Sequence, residues 1–348
     1  MRLSPGTGWV RFLVAVLVAV FSLPAFAVSC TTQSQMNAAQ RRQLRQAAFM
    51  LAVDAKEGNA SAMQSQAIPM LAGHFQGIAD SVQNLQPDLS NATLTVDNLY
   101  LLDATDLTQP TEADFFCGIN NSNLLVTITI PSLPPGSYAL AITHATGVKN
   151  PQQVSMVLQN MAPKGAASPD WKLAGFFARP MTLAGRDGVW FWKQARVYAK
   201  KNDPFTAWFY YETAKYLLVP VNFISSPNLQ RLDREAAKVR PASLPGPQPM
   251  QLSYNGQTFE ITNMYVGHLS GNLDLVVTYQ GQAIQDPVLA RKQVVTVMRA
   301  LLATHPGLKT AFHGLWVHVA TPGNQNPFAL ELPIDQIENE GVPSQSAK

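Results

Sequence analysis

Charge is scarce in this chain: Asp, Glu, Lys and Arg make up only 14% of its 348 residues, against 47% hydrophobic residues. So little charge on so apolar a chain excludes wholesale disorder and leaves a core-forming protein long enough for two or three domains. A basic excess is also missing. The 25 basic residues less Arg2 and Arg11 leave 23 against 22 acidic ones, so the chain beyond its first segment is nearly neutral and offers no field to capture nucleic-acid phosphates. Linear catalytic motifs are lacking as well. No phosphate-cradling Walker loop, dinucleotide glycine fingerprint, serine nucleophile elbow or helical two-histidine zinc motif occurs. Gly267-His268-Leu269-Ser270-Gly271 has its serine in the wrong place for an elbow and fits a hairpin turn instead. Neither cofactor nor metal is expected.

The first residues are informative. Arg2 and Arg11 precede an uncharged run from Phe12 to Leu23 and then Ala25-Phe26-Ala27, the three regions of a secretory signal with small residues at Ala25 and Ala27 for cleavage. The run is shorter than the roughly 20 apolar residues of a membrane anchor. An exported, periplasmic or extracellular protein is therefore expected. The only two cysteines, Cys30 and Cys117, both survive such cleavage, and an oxidising compartment favours a disulfide between them. A competing reading takes Ala27-Val28-Ser29-Cys30 as a lipoprotein box in which Cys30 carries a lipid, the one route to a membrane that this sequence offers.

Periodicity predicts an α+β, multi-domain chain. Leu44, Ala48, Leu51 and Ala55 form a helical stripe over residues 37–57, and a second helix runs to about Leu85 with Pro69 at its first effective turn. After Pro87 the period becomes two, through Leu94 to Leu102, Leu124 to Ile130, Tyr138 to His144, Val154 to Leu158 and Trp171 to Ala178. Helices over one face of a curved antiparallel sheet are expected for residues 28–182. Helices then occupy 183–240, the last from Pro227 to Val239 with Ser226 as cap, and four prolines make 241–249 a linker. Residues 250–337 read as ββαββ with a helix starting at Pro287, and 338–348 as a disordered tail.

Two resemblances accompany this outline. The order of elements and the closing "DWKLAGFFARP" of Asp170 to Pro180 resemble the nuclear transport factor two-like cone fold of bacterial secreted proteins, while "LPPGSYAL" at Leu133 to Leu140 also resembles turns of secreted β-sandwiches. In "VYAKKNDPFTAWFYYETAKYLLVP", Tyr198, Ala207, Tyr211, Ala214 and Pro220 resemble the second half of a tetratricopeptide repeat, though Phe191, Gln194 and Ala195 depart from its first half. A single unit cannot bury its own faces, so the hairpin must pack on neighbours.

The cone resemblance implies a pocket in which Tyr138 and His144 meet an acidic group, Asp103 or Asp106, as an acid and base pair. The bland alternative for His144 is a solvated strand-end residue. His313 and His318 point to opposite faces of a strand and share no metal locally. The acidic stretch through Asp97, Asp103, Asp106, Glu112 and Asp114 lacks a calcium-loop spacing and reads as a solvated edge. For the aromatic hairpin, the sequence leaves two readings. In one it is a core seam joining two domains. In the other Trp190, Trp192, Trp208 and Tyr210 face a protein or cell-envelope partner, with Lys200, Lys201 and Lys215 at the rim. An enzyme or lipophilic-ligand carrier using the cone is the remaining functional expectation.

Overall fold

The computed structural model describes residues 28–118, 125–163, 165–269, 271–282, 284–324 and 328–339. The expected signal segment, with Ala25 and Ala27, and the expected tail from residue 340 lie outside the described residues.

The first module opens with β1 (Ser29–Thr32) and α1 (Ala38–Lys56), α2 (Ala60–Ser65), α3 (Pro69–Ala72) and α4 (Gln76–Leu89). Asn37 and Gln40 form a reciprocal capping box that fixes the start of α1. All four stripe residues, Leu44, Ala48, Leu51 and Ala55, are buried. The expected single second helix is instead three. Residues 66–68 leave helical geometry to bridge a strand, Ile68 N donating to Leu173 O at 2.9 Å and Leu173 N to Gln66 O at 2.8 Å. A helix cannot continue through backbone groups already spent on a sheet.

Strands β2 (Thr93–Ala104), β3 (Thr111–Gly118), β4 (Leu125–Leu133), β5 (Gly136–Thr146), β6 (Gln152–Asn160) and β7 (Trp171–Pro180) follow. Four of them join β1 in an antiparallel sheet of order β1-β2-β5-β6-β7. Along β5, Ala139, Ala141 and Ala145 pack toward the helices, while Tyr138, Leu140 and Ile142 pack toward β3 and β4. The result is three layers: helices, sheet and a smaller sheet. The Cys30–Cys117 disulfide, whose ends are 87 positions apart in sequence, ties edge strand β1 to β3 across the last two layers.

The second module begins with the short pair β8 (Thr182–Leu183) and β9 (Arg186–Asp187), then α5 (Gly188–Lys200), α6 (Pro204–Leu218), β10 (Ile224–Ser225) and α7 (Pro227–Val239). Ser226 caps α7 and Pro227 is its first residue, as the sequence predicts. Gly188 is required where α5 meets α6, because a Cβ there would stand 2.6 Å from Leu218 Cγ. Between α6 and α7 the chain dips back into the first module. Strand β10 pairs with β4, and Val221 is 1% exposed in the core that β3, β4 and β5 share.

Next come β11 (Met250–Tyr254), β12 (Gln257–Leu269), β13 (Asn272–Gln280), α8 (Pro287–Thr304), α9 (Leu308–Ala311), β14 (Gly314–Ala320), β15 (Phe328–Pro333) and α10 (Ile334–Asn339). These strands form one sheet in sequence order, antiparallel except for β13 and β14, which α8 connects as a parallel crossover. The expected ββαββ core is present, preceded by the additional strand β11. Residues 338 and 339, expected in the tail, belong to α10, where the burial of Ile334 and Ile337 holds the helix down. The aromatic hairpin and this sheet share one core: Phe191, Phe205 and Tyr210 are buried with Leu275, Val277, Val294 and Met298.

Candidate functional site

The acid and base pair expected in the first module is not assembled. Asp103 lies opposite Ser137 and His144 opposite Thr95, seven residues farther along β5, or about 23 Å at strand rise. Asp103 Oδ1 instead accepts hydrogen bonds from Thr105 N at 3.0 Å and Thr105 Oγ1 at 2.8 Å. His144 is held on both ring nitrogens, Nδ1 lying 2.5 Å from Asp97 Oδ2 and Nε2 3.0 Å from Gln153 Oε1. Both ring nitrogens are thus engaged within the protein. Tyr138 is 3% exposed and donates to Pro134 O at 3.0 Å. Phe115, Ile128, Leu133 and Val221 are buried together with Tyr138, Leu140 and Ile142 on this face of the sheet.

The aromatic hairpin divides the seven partner candidates. Tyr210 is core: it is 3% exposed and its hydroxyl donates to Ala311 O at 2.7 Å. Burial raises its pKa. Trp190 is half-buried, its ring 6.0 Å from that of Tyr210 and 5.2 Å from the Arg186 guanidinium. Trp192 Nε1 donates to Glu235 Oε2 at 2.8 Å, inside a network that clamps α7 onto α5. Arg196 grips the same carboxylate with Nε at 2.7 Å and Nη2 at 2.9 Å, and Arg231 Nε donates at 2.9 Å. These hydrogen bonds, Arg196 foremost, hold the Glu235 carboxyl down to about 2. Lys215 pairs with Asp233 at 2.7 Å, and Lys200 and Lys201 stand exposed at the far end of α5. The seven candidates thus share no single face.

Trp208 alone among them lines a groove of about 630 Å³. Trp208, Glu212 and Tyr216, four residues apart on α6, form one wall; Met264, Tyr265 and Val266 of β12 form the other. Arg240 lies 5.4 Å over the Trp208 ring and Arg179 5.4 Å over the Tyr216 ring, so cations flank both aromatic ends. Tyr216 is 47% and Tyr265 50% exposed. Glu212 is half-buried in this wall, and burial raises its pKa despite Lys215 and Arg240 nearby.

The strand wall is unusual in its backbone. Strand β11 covers β12 only from Gln257 to Ile261. A register shift then follows between Ile261 and Asn263, and from Asn263 to Leu269 the strand pairs with β13 alone. Among the described residues no strand occupies its other edge. Five of these residues, Asn263 to Gly267, therefore border an aromatic groove on a strand edge with no strand partner. The sequence showed Trp208 as exposed candidate material but not Glu212, Tyr216 or the β12 edge, because nothing in periodicity says which strand ends short of its neighbour.

Fold and groove together define an α+β protein of two interlocked modules with a strand-edge cleft beneath an aromatic helix. No family model, curated protein or solved structure matches the chain.

Proposed function

We propose that this protein is exported and acts by binding another polypeptide, taking an extended segment of its partner as an added strand along Asn263–Gly267 of β12. The unpaired edge of that strand inside the groove carries this reading. An incoming strand would satisfy the open backbone groups, while alternate side chains would lie under Trp208 and Tyr216. A basic residue opposite Glu212 would relieve that carboxylate's burial. Because Arg240 and Arg179 stand at the aromatic ends, the segment we propose is apolar, with its one positive charge confined to the position opposite Glu212. Export is supported by the signal-like first segment and by the Cys30–Cys117 disulfide; that bond also takes up the sulfur a lipid on Cys30 would need.

The test uses immobilised eight-residue peptides of alternating apolar residues with a single lysine, against versions with aspartate in its place. Retention of the lysine set, lost in Trp208→Ala and in Met264→Asp, is the expected result. Amide hydrogen exchange should show new protection on binding at the amides of Asn263–Gly267 that face away from β13. Peptide binding that leaves those amides unprotected, or that is indifferent to both substitutions, would overturn the proposal.

A further inference from the structure

The other face of the second module's sheet holds a cluster with a different chemistry. Strand β13 is covered on one side by α8, where Leu275, Val277 and Tyr279 are buried. Asp274 points to the opposite side, yet its residue is 0% exposed. One of its oxygens, Oδ2, accepts from Leu269 N at 3.1 Å. The other, Oδ1, is buried with no hydrogen-bond partner. Around it stand His313, at the entrance to β14, and Glu331 of β15. One ligand atom from each of the three residues lies within 4.8 Å of the others.

As an ordinary polar cluster this arrangement is poorly satisfied. His313 Nδ1 is 3.5 Å from Asp274 Oδ1, beyond the roughly 2.7–3.2 Å of an N–H···O bond. Two carboxylates face each other here, Asp274 fully buried and Glu331 half-buried. An unpaired buried carboxylate oxygen is among the costliest groups a fold can carry. Gly314 makes the convergence visible. A Cβ at that position would lie 2.7 Å from Glu331 Oε1 and 2.8 Å from Asp274 Oδ1, so both oxygens occupy the space a side chain would take. The backbone beneath is pinned, His313 N donating to Leu273 O at 2.7 Å and Ile334 N to His313 O at 2.9 Å.

What is too long for a hydrogen bond suits two ligands of one ion. With metal–ligand bonds of about 2.1 Å, tetrahedral ligands lie roughly 3.4 Å apart. We propose that Asp274, His313 and Glu331 bind one divalent cation of the zinc or manganese class. One imidazole and two carboxylates match the donor set such ions take. Asp274 is the fixed ligand, and the side chains of His313 and Glu331, both reachable from solvent, turn in to complete it. Three protein donors leave a coordination position for water or a partner's side chain. Because each of the three donors comes from a different strand or strand entrance, the sequence shows no local ligand spacing.

The test is titration of the untagged protein, without its signal segment, with zinc and manganese chloride by calorimetry, and with cobalt by visible absorption. Saturable binding of one equivalent is expected, with a rise in unfolding temperature. His313→Ala and Glu331→Gln, at positions that solvent reaches, should each weaken binding roughly tenfold or more. His318→Ala, on the same sheet but outside the cluster, should leave it unchanged. Circular dichroism confirms that each variant is folded. Absence of saturable binding up to millimolar metal, or equal affinity in the folded His313 and Glu331 variants, would refute the site.

Discussion

Replacing Glu235 by glutamine keeps the shape of the side chain that joins α5 to α7 and removes its charge. In the folded protein that carboxyl is held from an ordinary 4.5 down to about 2, chiefly by Arg196, with Trp192 and Arg231 adding hydrogen bonds. A displacement of that size corresponds to roughly 3 kcal/mol of folding stability at neutral pH. The Arg196 side chain is 37% exposed, however, so solvent screening reduces the expected effect to about 1–2 kcal/mol. The sign is that of a depressed acid. Its contribution is complete above pH 4.5, the unfolded value, and is lost as pH falls through about 2. Urea unfolding of the native protein and of Glu235→Gln should therefore differ by about 1–2 kcal/mol at pH 7 and by less than half of that at pH 3. A gap that stays constant between the two pH values would refute the charge mechanism and assign the loss to packing.

Three further outcomes follow from contacts already described. Reducing the disulfide, or substituting both Cys30 and Cys117 by alanine, should cost about 2–5 kcal/mol given the 87-residue separation; unfolding midpoints with and without reductant measure it. Gly188→Ala should destabilise by about 1–3 kcal/mol, since the new methyl meets Leu218; a neutral result would mean that α5 and α6 separate freely. His305 stacks on Phe205 at 3.6 Å, and burial lowers its pKa, although Asp203 opposes the shift. Its neutral form thus contributes stability above about pH 6.5 that is lost as pH falls through the lower folded value. Melting temperatures of His305→Phe should show a flatter pH dependence below neutrality.

What the sequence made legible was punctuation. Ser226-Pro227 and Asp286-Pro287 are a cap followed by a proline at the first helical position, and both helices start there. Alternation located β5, β6, β12 and β13; in β12 one face is buried and the other open, whereas in β5, β6 and β13 residues of both faces are buried. The break between α2 and α3 was not legible because it is made by β7, a strand about a hundred residues away. Tyr210 failed as a docking residue because α6 buries residues on several sides, so no helical stripe distinguishes its core from its surface. The groove and the Asp274 cluster arise from strand order and strand length, which are tertiary facts that a one-dimensional period does not contain.

The dip of the chain between α6 and α7 bears on any attempt to dissect the molecule. A fragment ending after β7 would lack Val221 and β10, leaving a hole beside Ile128. A fragment extended through Ser225 would carry α5 and α6 without the sheet that buries Phe205 and Tyr210. Neither cut yields an intact body, so limited proteolysis should release no stable half. The two modules are expected to be made, folded and degraded as one piece.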